Sequence, residues 1–169
     1  MNLTPFRIRA ATEGDLPGIF AIYDQEVLHG TATFDTQPRL EAERLDWFRS
    51  DGHGRYPILV AVSDGRIAGW ARLYAWSPRK AYDRTAESAV YVHREHRGQG
   101  LSRALMEELI RLAPGRGVQV LIARVVEGNP ASLALHEKLG FRTIGVMQRV
   151  GEKFGRLLDV RLLDRQLDR

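Results

Sequence analysis

Residues 90–112 read VYVHREHRGQGLSRALMEELIRL, and the rest of the chain is placed around them. Ala89, Val90, Tyr91 and Val92 are apolar or β-favouring and predict a strand, while Leu101, Leu105, Leu109 and Leu112 recur at helical steps. Between the two lie Arg97, Gly98, Gln99 and Gly100. Glycine admits backbone conformations closed to other residues and allows close approach of a ligand, and the unpaired amides of the following helix end converge on one spot. The helix dipole, with Arg94, Arg97 and Arg103 nearby, makes that spot attractive to a phosphate or pyrophosphate. No Gly-Lys-Ser/Thr follows, so this is not a Walker loop, and the three-glycine dinucleotide fingerprint is absent.

Working outward, 169 residues with 44% hydrophobic content predict a single domain spanning 1–169 with a substantial core. The absence of cysteine rules out disulfides and thiolate chemistry and suits a reducing compartment. No N-terminal run has the character of a signal peptide, and no stretch approaches the roughly 18 apolar residues of a membrane span, so the expected location is the cytoplasm. The net charge of +4 arises from 25 basic and 21 acidic residues scattered along the chain. That pattern suits an anionic small ligand and argues against nucleic acid or membrane as a partner.

Phe6 to Arg9 alternate apolar and basic residues, as in a half-buried first strand. Thr12, Glu13, Asp15 and Pro17 open a helix whose apolar face is Ile19, Phe20, Tyr23, Val27 and Leu28, and Gly30 ends it. After an irregular segment, 31–38, a second helix carries Leu40, Leu45, Trp47 and Phe48 and closes at 51–54. Residues 58–62 and 67–74 flank an Asp64-Gly65 turn and form a hairpin. A polar loop, 77–83, leads to a strand at 85–92, then the glycine turn and its helix. The apolar run 118–126 predicts a buried central strand, Asn129 and Pro130 open a short helix through Leu139, and Gly140 stops it. Two closing strands, 141–150 and 157–163, flank a turn at 151–155. No repeat or low-complexity tract interrupts the pattern.

This order predicts an α/β fold around one mixed sheet. Arg97-Gly98-Gln99-Gly100-Leu101-Ser102 resembles the acyl-CoA pyrophosphate loop of the GCN5-related N-acetyltransferases (GNAT), which usually ends in Gly or Ala where this chain has Ser102. The resemblance implies the acyl-CoA N-acyltransferase fold, a mixed central sheet with splayed central strands flanked by helices. It also implies acetyl-CoA as cosubstrate and no metal. The splayed strands would be 87–92 and 118–126, with the pantetheine arm between them. Cofactor-binding residues by this resemblance are Val90, Tyr91, Val92, the cradle from Arg97 through Arg103, Asn129 and Ser132.

Four further stretches, Thr31-Ala32-Thr33-Phe34-Asp35-Thr36, the run from Ala81 to Val92, Leu135-His136-Glu137-Lys138-Leu139-Gly140-Phe141 and Val150-Gly151-Glu152-Lys153-Phe154-Gly155, resemble the phosphinothricin acetyltransferase branch. Arg84 and Leu157 depart from it, standing where relatives carry an aromatic and a Trp. This branch acetylates the amino group of small amino-acid-like compounds such as phosphinothricin, methionine sulfoximine and methionine sulfone. Within the same fold, the alternative acceptor is a protein N-terminus, a lysine or another amine. A non-enzymatic acyl-CoA sensor is disfavoured, because Glu87, Asn129 and His136 are all present.

Chemistry singles out Glu87 independently. An α-amino group with a pKa of about 7.7–8.0 is mostly protonated at neutral pH, so acetyl transfer needs a general base. A carboxylate in the sheet gap, its pKa raised by desolvation, would serve; the structural alternative pairs it with Arg84 or Arg79. His136 takes the position where many relatives carry a Tyr that protonates the leaving thiolate, and it shares a helix face with Asn129. The amide of Val90 is the candidate for polarising the thioester carbonyl. Arg72, Arg79 and Arg84 are candidates to grip the acceptor carboxylate, and Phe34 to wall its apolar part. The family resemblance implies a homodimer whose 151–155 turn reaches the partner's site, with Lys153 contributing across the interface.

Overall fold

A computed structural model describes residues 6–50 and 54–167. Its elements follow the order expected from sequence: β1 (Arg7–Ala10), α1 (Leu16–His29), α2 (Glu41–Ser50), β2 (Ile58–Ser63), β3 (Arg66–Ala75), β4 (Thr85–Val92), α3 (Leu101–Leu112), β5 (Val120–Val126), α4 (Pro130–Lys138), β6 (Arg142–Lys153) and β7 (Arg156–Gln166). The closing signal expected for α2 falls largely on 51–53, outside the described residues. The strands form one seven-stranded sheet ordered β1-β2-β3-β4-β5-β7-β6. Neighbours are antiparallel except for β4 and β5, which run parallel.

Period-two alternation sorts the sheet into two faces. On one, Leu59, Ala61, Ala71, Leu73 and Ala86 pack beneath Leu101, Leu105, Met106 and Leu109 of α3. The small alanines let this amphipathic helix lie close to the sheet. On the other, Ile58, Val60 and Trp70 meet Leu16, Ile19, Phe20 and Ile22 of α1. Helix α2 buries no residue completely and adds Leu45, Trp47 and Phe48 to the rim of this second cluster. Leu40, expected on its apolar face, precedes the helix and is exposed.

Strand boundaries shift at two places for identifiable reasons. β5 starts at Val120 rather than residue 118, because Gly117 adopts φ 77° and the Val118 amide still donates back to the Ala113 carbonyl at 3.1 Å. Val118 belongs to the turn. The expected 151–155 turn shrinks to Phe154-Gly155, with φ values of 52° and 68°, the left-handed pair whose twist suits a two-residue hairpin. A bulge absorbs the added length. Arg149 turns to φ 54° there, and its amide donates to Asp159 Oδ1 at 2.8 Å.

The feature that makes a site is the fork between β4 and β5. They pair only at Thr85, Ala86 and Glu87, opposite Val120, Leu121 and Ile122. Beyond that point β5 follows β7 up to Val126, while β4 stays with β3 up to Val92. The splayed central strands expected from sequence are therefore present. One edge of β4, from Ser88 onward, lacks a strand partner.

Candidate active site

The open fork continues into a cleft of about 1670 Å³, which runs from the glycine turn along β4 to α4 and the 31–35 segment. At its cradle end Gly98 and Gly100 have φ values of 74° and 83°, and a Cβ on either would point into space with nothing within 4 Å. The backbone here needs glycine for its conformation and leaves room for a ligand. The amide of Ala104 donates to the Gly100 carbonyl at 3.0 Å, so those of Leu101, Ser102 and Arg103 stand before the first intrahelical bond. Arg97 donates to the Val92 carbonyl at 3.3 Å and pairs with Glu26 at 2.7 Å, which braces the turn against α1. Gln99 bonds back to the Glu95 carbonyl, Arg103 pairs with Glu107, and the Gln99 side chain does not line the cleft.

At the inner end of the fork lies Glu87, only 4% exposed. Its burial was expected, but its partner was not. Arg124 of β5 donates through Nε to Oε1 at 2.6 Å and through Nη2 to Oε2 at 2.8 Å. Neither Arg79 nor Arg84 takes this place. Tyr74 stands directly opposite Glu87 on β3, and its hydroxyl interacts with both Glu87 and Arg124. Burial, reinforced by the Glu87 charge, pushes the Tyr74 phenol well above its usual range, so it remains a hydrogen-bond donor. Arg124 is raised above its already high range chiefly by its hydrogen bond to Glu87, and its guanidinium lies 6.0 Å from the Trp76 ring centre.

The third corner is α4. Asn129 caps this helix, its Oδ1 accepting from the Ser132 amide at 3.1 Å, and Pro130 follows where no amide is needed. His136 is buried, edge-on to Phe141 at 5.0 Å. Its Nδ1 lies 2.8 Å from the Ser132 carbonyl, and since a carbonyl only accepts, Nδ1 carries the hydrogen. Burial lowers the imidazole pKa below its usual value, so near neutrality it is neutral with Nε2 an acceptor. Asn129, Ser132 and His136 all line the cleft.

The GNAT acetyltransferase family model matches residues 12–141, the span that contains cradle, fork and α4. The chain belongs to the GNAT acetyltransferase family. It is 42% identical to an L-methionine sulfoximine/L-methionine sulfone acetyltransferase of Pseudomonas paraeruginosa, over 95% of this chain and 94% of that relative. It is 40% identical to a phosphinothricin N-acetyltransferase of Alcaligenes faecalis, over 95% of this chain and 82% of that one. Among solved structures, the GNAT superfamily phosphinothricin acetyltransferase of Sinorhizobium meliloti in complex with acetyl-CoA superimposes with a TM-score of 0.92. That match has 36% identity and covers 96% of this chain and 88% of that one.

The residues of this GNAT acetyltransferase fit acetyl-CoA. The glycine turn offers amides and space for its pyrophosphate, and the unpartnered β4 edge, with Val90, Tyr91 and Val92, offers backbone groups for an extended arm. Among the described residues no group of His, Cys, Asp or Glu is arranged to hold a metal ion. No helix among them is long and apolar enough to cross a membrane.

The expected acceptor residues separate in this acetyltransferase. Arg72 lines the cleft, buried on β3, with its guanidinium 4.5 Å from the Trp47 ring centre and 5.3 Å from that of Tyr74. Burial pushes it down to about 10, which leaves it cationic at neutral pH. Arg84 points away, donating to Gln119 at 3.1 Å, and Arg79 lies exposed on the preceding loop; neither lines the cleft. Both sit on the far side of the paired end of the fork. Phe34 lines the cleft at 40% exposure and packs against Gly151, where any Cβ would collide with its ring at 2.1 Å.

Lys153, expected to reach a partner's site, is 4% exposed here, and its ammonium donates within its own chain to the carbonyls of Glu26 and Thr33, at 3.0 and 2.8 Å. It pins the end of β6 to α1 and the 31–35 segment. Sequence reading passed over Arg124, although a lone charge within the apolar run VLIARVV was a signal. It also passed over the Tyr23 hydroxyl, which bonds Thr33 at 2.8 Å and Asp35 at 2.9 Å and so ties that segment to α1. Burial pushes the Tyr23 phenol up to about 12.

Proposed function

We propose that this chain acts as a single N-acetyltransferase domain on the amino group of a small amino-acid-like acceptor, of the phosphinothricin, methionine sulfoximine or methionine sulfone class. The observation that carries the reading is the placement of a buried carboxylate, Glu87, and a buried cation, Arg72, on one cleft with an aromatic wall. Such a cleft complements a zwitterion, offering a proton acceptor to its ammonium and a cation to its carboxylate. The names of the relatives, which act on compounds of this kind, support the same class.

Acetyl-CoA, when bound, supplies the acetyl group as a reactive thioester. The cradle from Arg97 through Arg103 holds anionic oxygens through its amides, and the Asn129 and Ser132 end of α4 faces the same gap. The Val90 amide is the donor we assign to the acyl oxygen as charge develops there. Glu87 accepts the proton of the acceptor ammonium, directly or through one water, and leaves the amine lone pair free to attack. His136, neutral and with Nε2 as acceptor, orients a water or the amine and does not itself begin as the acid that protonates the leaving thiolate.

We place the protein in the cytoplasm as a homodimer. Ile144, Val146, Val150, Phe154 and Leu157 leave apolar surface exposed on the edge strand β6, the turn after it and the start of β7, which favours a second copy covering it. The acceptor class is tested by thiol release from acetyl-CoA with phosphinothricin, methionine sulfone, methionine sulfoximine, the common amino acids, and peptides bearing a free N-terminus or lysine. The reading predicts turnover with the small amino-acid-like amines. Turnover of the peptides alone would replace it with the protein-acetylating alternative.

A further inference from the structure

We propose that Arg124 is the positioning residue for the proton-accepting step, holding Glu87 as an oriented carboxylate at the base of the fork. This rests on the assignment of Glu87 as base and adds a residue to it. An ionised carboxyl removed from water is disfavoured and takes up a proton unless a cation and hydrogen-bond donors compensate it. Glu87 is 4% exposed, and Arg124 supplies the compensation through two bonds at 2.6 and 2.8 Å, one to each oxygen. A bidentate guanidinium fixes the plane of the carboxylate as well as its charge, which a lysine does not.

The placement of Arg124 gives it this role during turnover. It extends from β5 just beyond Ile122, the last residue paired with β4, where the two strands separate and the cleft begins. Its side chain stays half exposed there, whereas that of Glu87 is closed off at 6%. The groups facing Glu87 are Tyr74 from β3 and Arg124 from β5; Arg72, two residues from Tyr74, faces the same cleft. Tyr74 keeps its proton and acts as a neutral donor, so Arg124 is the cation that compensates the carboxylate. The acceptor N–H bond breaks, the proton passes to a Glu87 oxygen, and the new carboxylic acid keeps its orientation against Arg124 until the proton leaves to solvent.

The test compares the parent with Arg124→Gln, Arg124→Lys and Glu87→Gln, using one amino-acid acceptor throughout so that its own ionisation cancels. In Arg124→Gln the buried carboxyl loses its cation, and the acid limb of kcat moves to higher pH by about one unit or more, with activity partly recovered at high pH. Arg124→Lys keeps the charge, so its acid limb stays near that of the parent while kcat falls through lost orientation. Carbon-13 NMR titration of the Glu87 carboxyl in the cofactor-free protein gives a readout independent of turnover, and the Arg124→Gln signal titrates at higher pH than the parent's. Should Arg124→Gln fail to fold, Arg124→Lys alone decides: a parental kcat overturns the orienting role. Unmoved limb and titration in a folded Arg124→Gln overturn the charge role. If Glu87→Gln is as active as the parent, the base assignment itself falls, an outcome distinct from either.

Discussion

At the scale of single residues, the chemistry follows from how each buried charge is compensated. Glu87 was legible as a candidate base because a thioester-to-amine transfer needs one and because it lies in the 81–92 stretch that resembles the phosphinothricin acetyltransferase branch. Its partner was not legible, because Arg124 comes from a strand 37 residues away, and only the parallel register of the fork brings the two together. Local proximity in sequence favoured Arg79 and Arg84, but Arg84 bonds Gln119 and Arg79 lies exposed outside the cleft. A second buried pair permits a prediction about stability. Asp15, held by Arg9 at 2.6 and 2.8 Å and by the Thr12 amide at 2.8 Å, is lowered from 3.8 to about 2, chiefly by the Arg9 hydrogen bond. A carboxyl depressed in the folded state takes up protons more readily on unfolding, so its contribution is present above 3.8 and is lost as pH falls through about 2. Arg9→Met should therefore unfold at lower urea than the parent at pH 5, and the gap should narrow by pH 2. A gap independent of pH would show that Arg9 acts through packing alone.

At the scale of elements, period and punctuation carried most of the information. The strand-turn-helix unit is readable because two glycines sit where only positive φ closes the turn, and because α3 shows a clean apolar stripe. Helix α2 was readable only as a helix: its residues cover the aromatic cluster without entering the core, so its apolar pattern is weak. The hairpin of β6 and β7 misled by length, since the bulge at Arg149 lets β6 run on to Lys153 and draws the turn to Phe154-Gly155. That extension is also why Lys153 turns inward instead of riding on an exposed loop. Gly100→Val places a β-branched side chain at φ 83° and fills the space before α3. Calorimetry should show CoA binding weakened about tenfold or more while the fold persists, because the substituted position meets no protein atom within 4 Å. Unchanged affinity in a folded variant would remove the glycine turn from cofactor binding.

At the scale of the whole molecule, the fork is what turns an ordinary mixed sheet into an enzyme. A sheet in which β4 and β5 paired along their full length would bury every backbone group and leave no cleft. Because β5 leaves β4 after Ile122 to follow β7, backbone donors and the inner carboxylate come to face one space, walled by α1, α4 and the 31–35 segment. Element order made the mixed sheet readable, and the family resemblance made its splayed strands and the use of acetyl-CoA readable. The acceptor side was less so, since selectivity among small amines rests on pocket shape at the level of about 1–3 kcal/mol, which spacing does not encode. The measurement that bears most directly on the central claim is kcat/KM for one amino-acid acceptor in the parent and in Glu87→Gln, from about pH 6.5 to pH 9.5, a range chosen to bracket an α-amino group. Glutamine keeps the shape and hydrogen-bonding capacity of the side chain but cannot take the amine proton. The account predicts a loss of about 10²–10⁴-fold at the acid end that shrinks as the amine deprotonates in solution, with CoA affinity unchanged. A ratio near one throughout the range would contradict it.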